Sequence, residues 1–285
     1  MRTYGAITPA RDEEKLLPGL INSMVSQTRP PQRWIVIDDG SVDSTPALLD
    51  DAARRHDWIQ VHHVASDGER QAGGETVLQR FLNPELWRDC DMIFRVDADI
   101  TFEPDFVASL LAEFRRDPRL GIASGTLYER RRGAWQEMVM PRFHTRGGLK
   151  MYSRACLTAI GGLEAGLGWD TIDGARAAFL GYTTRSFRHI KARHHRPQGS
   201  AGGVLGGRMA AGRAAYQCGY SPLFMAARVC RQLPASPPVL GAAWLAAGYV
   251  EGYLRSKPRA ASPELVKFIR RQQVRRLLFL SSVWT

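Results

Sequence analysis

Cysteine is scarce in this sequence, whose 285 residues include only Cys90, Cys156, Cys218 and Cys230. No two of them have the Cys-x-x-Cys spacing that is typical of zinc sites. Nor do so few thiols form the dense disulfide framework of small secreted proteins, so a reducing compartment is favoured. A strand pattern at Tyr4–Thr8 begins almost at the first residue, and we therefore expect no signal peptide.

Long apolar runs are missing as well. The uncharged stretch Leu233–Val250 contains three prolines and ends at Glu251. A membrane-spanning helix needs about 20 predominantly apolar residues, so this stretch predicts a buried or interfacial helix instead. Together with the Gly- and Ala-rich segment 202–225, it indicates a C-terminal region that lies on a bilayer, which would suit a lipid-linked substrate.

Acidic residues are too few to balance the basic ones, and the net charge is +11. Eight lysines and arginines lie within residues 255–276, against a single acid, Glu264. Ser262-Pro263-Glu264 predicts a helix start, and Leu265, Phe268 and Ile269 begin an apolar stripe. A basic amphipathic helix is typical of attachment to an anionic membrane surface, while the alternative is a solvated helix packed on the protein. Without a recognition motif, the charge does not predict nucleic-acid binding. We expect a cytoplasmic protein that is peripheral on the membrane face.

Strand and helix patterns alternate along the first two thirds of the chain. Strands are predicted at 4–8, 35–38, 59–64, 92–96, 122–128 and from 183, and helices at 14–27, 46–55, 75–82, 104–115 and 171–180. This alternation predicts an α/β fold with a mostly parallel sheet flanked by helices. No Gly-x-Gly-x-x-Gly follows the first strand, which disfavours a dinucleotide-binding dehydrogenase.

Two pairs of carboxylates follow predicted strands. Asp97-Ala98-Asp99 comes directly after the apolar run 92–96, and Asp38-Asp39 comes directly after 33–37. Open α/β sheets bind ligands outside the carboxyl ends of their strands, so both pairs are expected at one pocket. Carboxylate oxygens suit Mg²⁺ or Mn²⁺, and these ions neutralise a substrate diphosphate. Thr45 is the predicted N-cap of the next helix, with Pro46 at its first position.

These motifs together resemble the family 2 glycosyltransferases, which have the GT-A fold and use nucleotide-activated sugars. The resemblance covers about residues 3–195 and rests on five motifs in order. They are the segments 8–13 with 20–28, 36–45, 97–99, 147–154 with 160–163, and 168–170. It implies a GT-A domain at 1–195 and a helical, apolar and basic extension at 196–285 that associates with the membrane.

The resemblance also implies roles for individual residues. The nucleotide-sugar side would comprise Pro9, Ala10, Arg11, Glu13, Asp39, Arg70, Asp97 and Ala98. The metal ligands would be Asp99 with His194 or His195, and the acceptor side would comprise Gly148, Lys150, Trp169 and Asp173. Asp170 would be the base that deprotonates the acceptor hydroxyl, with Asp173 as its rival. Trp169 stands where the family usually has Glu.

The predicted activity is transfer of a sugar from a nucleotide diphosphate to an acceptor hydroxyl, lipid-linked or on a polysaccharide. A base opposite the leaving group would invert the anomeric centre. Two alternatives stay open: a sugar-phosphate nucleotidyltransferase and a catalytically inactive nucleotide-sugar-binding protein. The first would be expected to have a glycine-rich phosphate loop after strand one, and Pro9–Glu13 contains no glycine.

Overall fold

The computed structural model describes residues 2–64, 84–131, 133–163, 167–196, 203–235, 237–256 and 258–284. Arg70 and the predicted helix 75–82 lie outside these residues. The chain divides into two compact units. Unit 1 comprises Met1–Ala165 and Leu180–Arg196, and unit 2 comprises Gly166–Phe179 and Pro197–Thr285.

Unit 1 is built on one sheet of nine described strands, in the order β3-β2-β1-β4-β8-β6-β9-β5, with β7 paired to β6. The strands are β1 Tyr4–Ala10, β2 Arg33–Asp39, β3 Ile59–Val64, β4 Met92–Val96, β5 Ile100–Phe102, β6 Leu120–Arg131, β7 Ala134–Glu137, β8 Leu149–Ser153 and β9 Thr183–His194.

The predicted α/β fold is confirmed. Strands β3, β2, β1 and β4 are parallel neighbours, so their carboxyl ends meet at one edge. Strand β8 was not predicted, and it pairs antiparallel with both β4 and β6. It therefore joins the parallel half of the sheet to the parallel pair β6 and β9.

Helices of unit 1 cover the sheet through apolar side chains. They are α1 Leu17–Val25, α2 Thr45–Arg55, α3 Phe106–Arg116 and α4 Arg154–Ala159, with a 3₁₀ turn at Pro84–Trp87. Phe94 on β4 packs against Phe102 and Phe106 at ring distances of 5.8 and 6.0 Å. The predicted cap of α2 is wrong: Ser44 is the N-cap, and the Thr45 hydroxyl accepts the backbone N–H of Glu13 instead.

Unit 2 is helical. Its helices are α5 Trp169–Phe179, α6 Gly203–Gln217, α7 Pro222–Gln232, α8 Leu240–Leu254 and α9 Pro263–Leu277. Glycines let α6 and α8 touch backbone to backbone, because a Cβ on Gly212 or Gly248 would come closer than 3 Å to a carbonyl oxygen of the other helix. Within the described ranges, no helix has both the length and the apolar character that crossing a membrane requires.

The basic helix α9 is packed along its first half and exposed near its end. Leu265 and Ile269 are buried, and the Phe268 ring lies 5.4 Å from that of Phe179. By contrast, Leu278 is 62% exposed and Phe279 is 97% exposed. The apolar stripe predicted from the sequence therefore packs within unit 2 at its start. Apolar side chains become exposed at Val274, in the last turn of the helix, and after the helix ends.

Candidate active site

Hydrogen bonds join the loops that follow β1 and β2. Asp12 adopts a positive φ of 54°, an arrangement that its short polar side chain tolerates. Its N–H donates to the Ser41 hydroxyl at 3.0 Å, and its carboxylate accepts the Val42 N–H at 2.9 Å. The carboxyl ends of these two parallel strands are thereby held together as one rim.

The predicted nucleotide residues of β1 and β2 gather at this rim. Pro9 and Ala10 are paired with Ile37 and Asp38 across the two strands. Arg11 and Asp39 form a partly buried ion pair at 3.8 Å, Nη1 to Oδ2.

Two further ion pairs involve acids of the same rim. Glu13 is nearly buried and pairs with Arg196 at 2.6 Å, a partner that was not predicted. Asp38 is directed to His63, whose Nδ1 lies 2.8 Å from its Oδ2, and the other nitrogen of His63 lies 3.1 Å from Asp50. Hydrogen bonds to these two aspartates raise the pKa of His63.

Asp97 is held by a buried arginine and by the backbone of the neighbouring segment. Its Oδ1 lies 2.9 Å from Nη2 of Arg95, which is only 3% exposed, and its N–H donates to the Gly148 carbonyl. The loss of hydration raises the pKa of Asp97, the guanidinium of Arg95 opposes this rise, and Asp99 adds to it. Ala98 packs into the core of unit 1 and can therefore offer a ligand only its backbone.

Asp99 and His194 come together at the junction of β5 and β9. Asp99 Oδ2 lies 3.4 Å from His194 Nε2, and His194 Nδ1 lies 3.1 Å from Glu129 Oε1. Burial alone would lower the pKa of His194, but hydrogen bonds and charges from Asp99 and Glu129 raise it. The imidazole is therefore oriented by a buried acid on one side and presented to Asp99 on the other.

The side chain of His195 makes different contacts from that of His194. Its backbone N–H donates to the Asp99 carbonyl, whereas its Nε2 lies 2.8 Å from the Thr101 hydroxyl. Its ring packs edge-on against Trp135, at 5.3 Å between centroids. Of the two predicted histidines, the structure places the side chain of His194 at Asp99.

The residues around Asp99 fit a divalent cation. Its Oδ1 is buried and has no hydrogen-bond partner among the described residues. Carboxylate oxygen and imidazole nitrogen are ligands that Mn²⁺ accepts. In the ranges that the structure covers, no three or more His, Cys, Asp or Glu side chains form a complete metal centre. Such a pair suits an ion that completes its shell with water and phosphate oxygens, as Mg²⁺ usually does.

The predicted acceptor-side residues fall in both units. Gly148 lies against Asp97, and Lys150 is fully buried opposite Arg95 in the pairing of β8 with β4. Trp169, Asp170 and Asp173 are on α5 of unit 2.

The two candidate bases on α5 differ in exposure. Asp170 lies in the first turn and is partly exposed. Asp173 is 3% exposed and accepts the Gly174 N–H at 2.6 Å. Asp170 is thus the more accessible of the two.

Sequence reasoning missed three charged partners, Arg95, Glu129 and Arg196. Glu129 and Arg196 are recognised only through contacts far along the chain, such as Glu129 opposite His194 in the pairing of β6 with β9. One signal was available for Arg95, because a cation inside the apolar run 92–96 is costly to bury without a nearby carboxylate.

An α/β sheet with carboxylates along the carboxyl ends of its parallel strands defines an open α/β protein that binds ligands at this edge. Residues 6–163 match the family described as glycosyl transferase family 2. The chain belongs to this family, which confirms the resemblance and the expectation of a glycosyltransferase.

Relatives with curated functions match only part of the chain. The poly-β-1,6-N-acetyl-D-glucosamine synthase of Staphylococcus epidermidis is 25% identical over 114 residues, which are 40% of this chain and 26% of that enzyme. This chain therefore spans about a quarter of the length of the curated relatives that it matches.

Solved structures show the same fold at low identity. A mannosyltransferase from Pyrobaculum calidifontis, solved with GDP-Man and Mn²⁺, has a TM-score of 0.57 and 18% identity over 94% of this chain and 79% of its own. S. aureus TarS 1-349, solved with UDP-GlcNAc, has a TM-score of 0.56 and 13% identity over 92% of this chain and 77% of its own.

Proposed function

We propose that this protein transfers a sugar from a nucleotide-diphosphate donor to an acceptor hydroxyl, with Mn²⁺ or Mg²⁺ and with inversion at the anomeric carbon. The observation that carries the proposal is the set of charged side chains at one strand-end rim of unit 1. There Arg11 faces Asp39, Arg95 faces Asp97, and His194 faces Asp99. The sugar-nucleotide complexes of the structural neighbours support it.

The roles at the rim follow from chemistry. Asp39, restrained by Arg11, would accept hydrogen bonds from the base, while Pro9, Ala10 and Glu13 would shape the nucleotide pocket. Asp97 would lie near the ribose, and Asp99 with His194 would hold the ion. When bound, the ion stabilises the negative charge that grows on the leaving diphosphate.

Asp170 is the proposed general base. A carboxylate on the face of the sugar opposite the diphosphate would take the proton of the acceptor hydroxyl as that oxygen attacks, and in-line attack inverts the carbon. Asp173 is less suited to this role because it is buried and bound to the backbone of Gly174. Trp169 would border the acceptor.

The acceptor is proposed to be a growing cell-envelope polysaccharide or a lipid-linked sugar. The name of the staphylococcal relative supports a polysaccharide acceptor. The exposed end of α9 supports attachment of the protein to a cytoplasmic membrane surface. Arg271, Val274, Leu278, Phe279 and Leu280 are exposed there. Basic and apolar side chains together bind anionic interfaces. Flotation with phosphatidylglycerol vesicles and phosphatidylcholine vesicles tests this: equal absence of binding would remove the membrane from the proposal.

The donor is tested by thermal shift with UDP- and GDP-sugars, with and without Mn²⁺. A ligand that prefers the folded state raises the melting temperature, so one donor should do so only with the ion. Asp99→Asn should abolish the ion-dependent rise in melting temperature. Asp105→Asn is the control and should not, because Asp105 is an exposed helix cap whose side chain makes no cap hydrogen bond.

The chemistry is tested by Asp170→Asn. This variant should bind the donor normally and lose transfer by about 100-fold or more, the usual contribution of a general base. Near-normal turnover would remove Asp170 from the role. Donor binding without any turnover in the unsubstituted protein would favour an inactive binder.

A further inference from the structure

Unit 1 contains a cavity away from the ion pairs of the rim. It opens to solvent and its enclosed part has a volume of about 20 Å³, so it has room for one small polar group and not for a whole ligand. It lies among β6, β9 and the segment between β7 and β8. Its lining consists of Gly125, Thr126, Leu127, Glu137, Met138, Met140, Arg142, His144, Arg146, Ser186 and Arg188.

Positive charge predominates in the lining. Three arginines line the cavity, at positions 142, 146 and 188, and among the described lining residues Glu137 is the one acid. Glu137 is already paired with Arg188, whose Nε lies 3.1 Å from its Oε1. Concave surfaces lined by one sign of charge concentrate the field, and guanidinium groups bind phosphate and carboxylate through two parallel hydrogen bonds.

One wall of the cavity is fixed by hydrogen bonds to backbone carbonyls. The Ser186 N–H donates to the Arg142 carbonyl at 2.6 Å, and the Thr184 hydroxyl donates to the Phe143 carbonyl at 2.6 Å. These two bonds attach the segment before β8 to strand β9. The Arg142 backbone is therefore held at the cavity, and less conformational entropy is lost when its side chain binds a ligand.

Only part of the cavity lining lies on the face of the sheet that carries Arg95, because Leu127 and Met138 belong to the core on the other face. Tyr152 is opposite Ile93 on one neighbour and opposite Ile122 on the other, so these three side chains share a face. Alternation along each strand then puts Arg95 and Thr126 on that same face. Arg146 is also only two residues before Gly148, which touches Asp97. The Arg146 end of the cavity is thus joined to the Asp97 site by a short stretch of chain.

We propose that this cavity binds an anionic group, phosphate or carboxylate, carried by the sugar acceptor. The statement that the anion belongs to a sugar acceptor rests on the proposed function. The statement that the cavity binds an anion rests on its arginines alone. Met138 and Met140 add an apolar wall, which suits an acidic group attached to a larger molecule. The cavity would then select acidic acceptors over neutral ones.

The test uses the full-length protein and inorganic phosphate or acetate as probes, at constant ionic strength. Phosphate should raise the melting temperature saturably, and the double variant Arg142→Gln/Arg188→Gln should weaken its affinity about tenfold or more, the cost of losing charge-assisted hydrogen bonds. Both arginines are exposed, so the variant should fold. Arg185→Gln, exposed on β9 and outside the cavity, is the matched control and should change the affinity less than about twofold.

A second titration repeats the phosphate series with saturating UDP or GDP and Mn²⁺. Unchanged phosphate affinity would support a site separate from the donor. Competition with the nucleotide, equal loss in the control, or no phosphate binding would each overturn the cavity proposal. Failure of every nucleotide sugar to bind would instead refute the proposed function and leave the phosphate result standing. The acetate series tells whether a carboxylate is accepted as well as phosphate.

Discussion

Gly148→Ala is the substitution whose consequence follows most directly from the geometry of the site. A Cβ at this position would come closer than 3 Å to Oδ2 of Asp97, 3.1 Å from its Cγ and 3.4 Å from Cδ1 of Ile100. The backbone there cannot retreat freely, because the Gly148 carbonyl accepts the Asp97 N–H at 2.9 Å. The carboxylate therefore has to move.

The size of the effect can be worked from these distances. The carboxylate must shift by about 1 Å to reach ordinary contact, and the shift strains its 2.9 Å pair with Arg95. Overpacking of this kind costs typically about 1–3 kcal/mol. A misplacement of about 1 Å at a reacting centre can cost about 100-fold in rate. We expect Gly148→Ala to remain folded, to bind the donor more weakly and to lose most of its transfer activity.

Calorimetry with the donor and Mn²⁺ measures the binding loss, and initial-rate kinetics measure transfer. Gly206→Ala is the control, because a Cβ on this helical glycine meets nothing within 4 Å. It should leave donor binding unchanged and stabilise the protein slightly, as Ala does in a helix. If donor affinity and transfer rate of Gly148→Ala are within about twofold of those of the unsubstituted protein, crowding at Asp97 does not control donor binding or transfer.

Three more substitutions test separate parts of unit 1. Glu129→Gln removes the acid that orients His194, so Mn²⁺ affinity measured with nucleotide present should fall about 10- to 100-fold. Thr8→Val leaves the buried indole N–H of Trp34 without its 3.0 Å acceptor and should cost about 1–3 kcal/mol in urea unfolding. The raised pKa of His63 stabilises the fold fully below its unfolded pKa of about 6.5, and this contribution is lost as pH rises through the higher folded pKa. His63→Gln should therefore lower the melting temperature at about pH 5.5 and change it little at about pH 9.

Each of these predictions has a result that contradicts it. Unaltered Mn²⁺ affinity in Glu129→Gln would show that Glu129 does not contribute to ion binding. Glu103→Gln, at an exposed glutamate, is the control. Thr28→Val, at an exposed hydroxyl, should cost far less than Thr8→Val, and equal costs would show that burial is not the cause. A pH-independent effect of His63→Gln would mean that its aspartate partners do not stabilise the imidazolium.

The parallel half of the fold could be predicted from the sequence because most of its strands are short apolar runs. Strand β4 is buried throughout and matches the predicted range 92–96, since a buried strand between helices has clear ends. Strand β3 also matches its range of 59–64, although it lies at the edge of the sheet and only Ile59 in it is buried. Strand β8 could not be found in this way. Its interior includes Lys150, and a fully buried lysine breaks the apolar pattern that identifies such strands.

The sequence was enough to place the candidate site at the ends of the strands. It was not enough to identify the contacts between the side chains there. Asp39, Asp97 and Asp99 were singled out because the end of a parallel strand is where ligands bind, and their roles stay predictions. The contacts of Glu13 with Arg196 and of Glu129 with His194 join residues far apart in sequence. No local pattern encodes them, because each depends on how segments far apart in the sequence come together in the fold.

The two carboxylates of Asp97-Ala98-Asp99 are inequivalent, and this difference favours Asp99 as the proposed ligand of the ion. Asp97 faces a buried guanidinium 2.9 Å away, and this positive charge compensates the charge of the carboxylate without an ion. Asp99 faces an imidazole at 3.4 Å and keeps a buried Oδ1 without a hydrogen-bond partner among the described residues. A buried carboxylate oxygen without a donor costs free energy, and a cation would remove that cost. Asp99 is therefore the carboxylate that gains most from an ion, while Asp97 remains available for hydrogen bonds to the nucleotide.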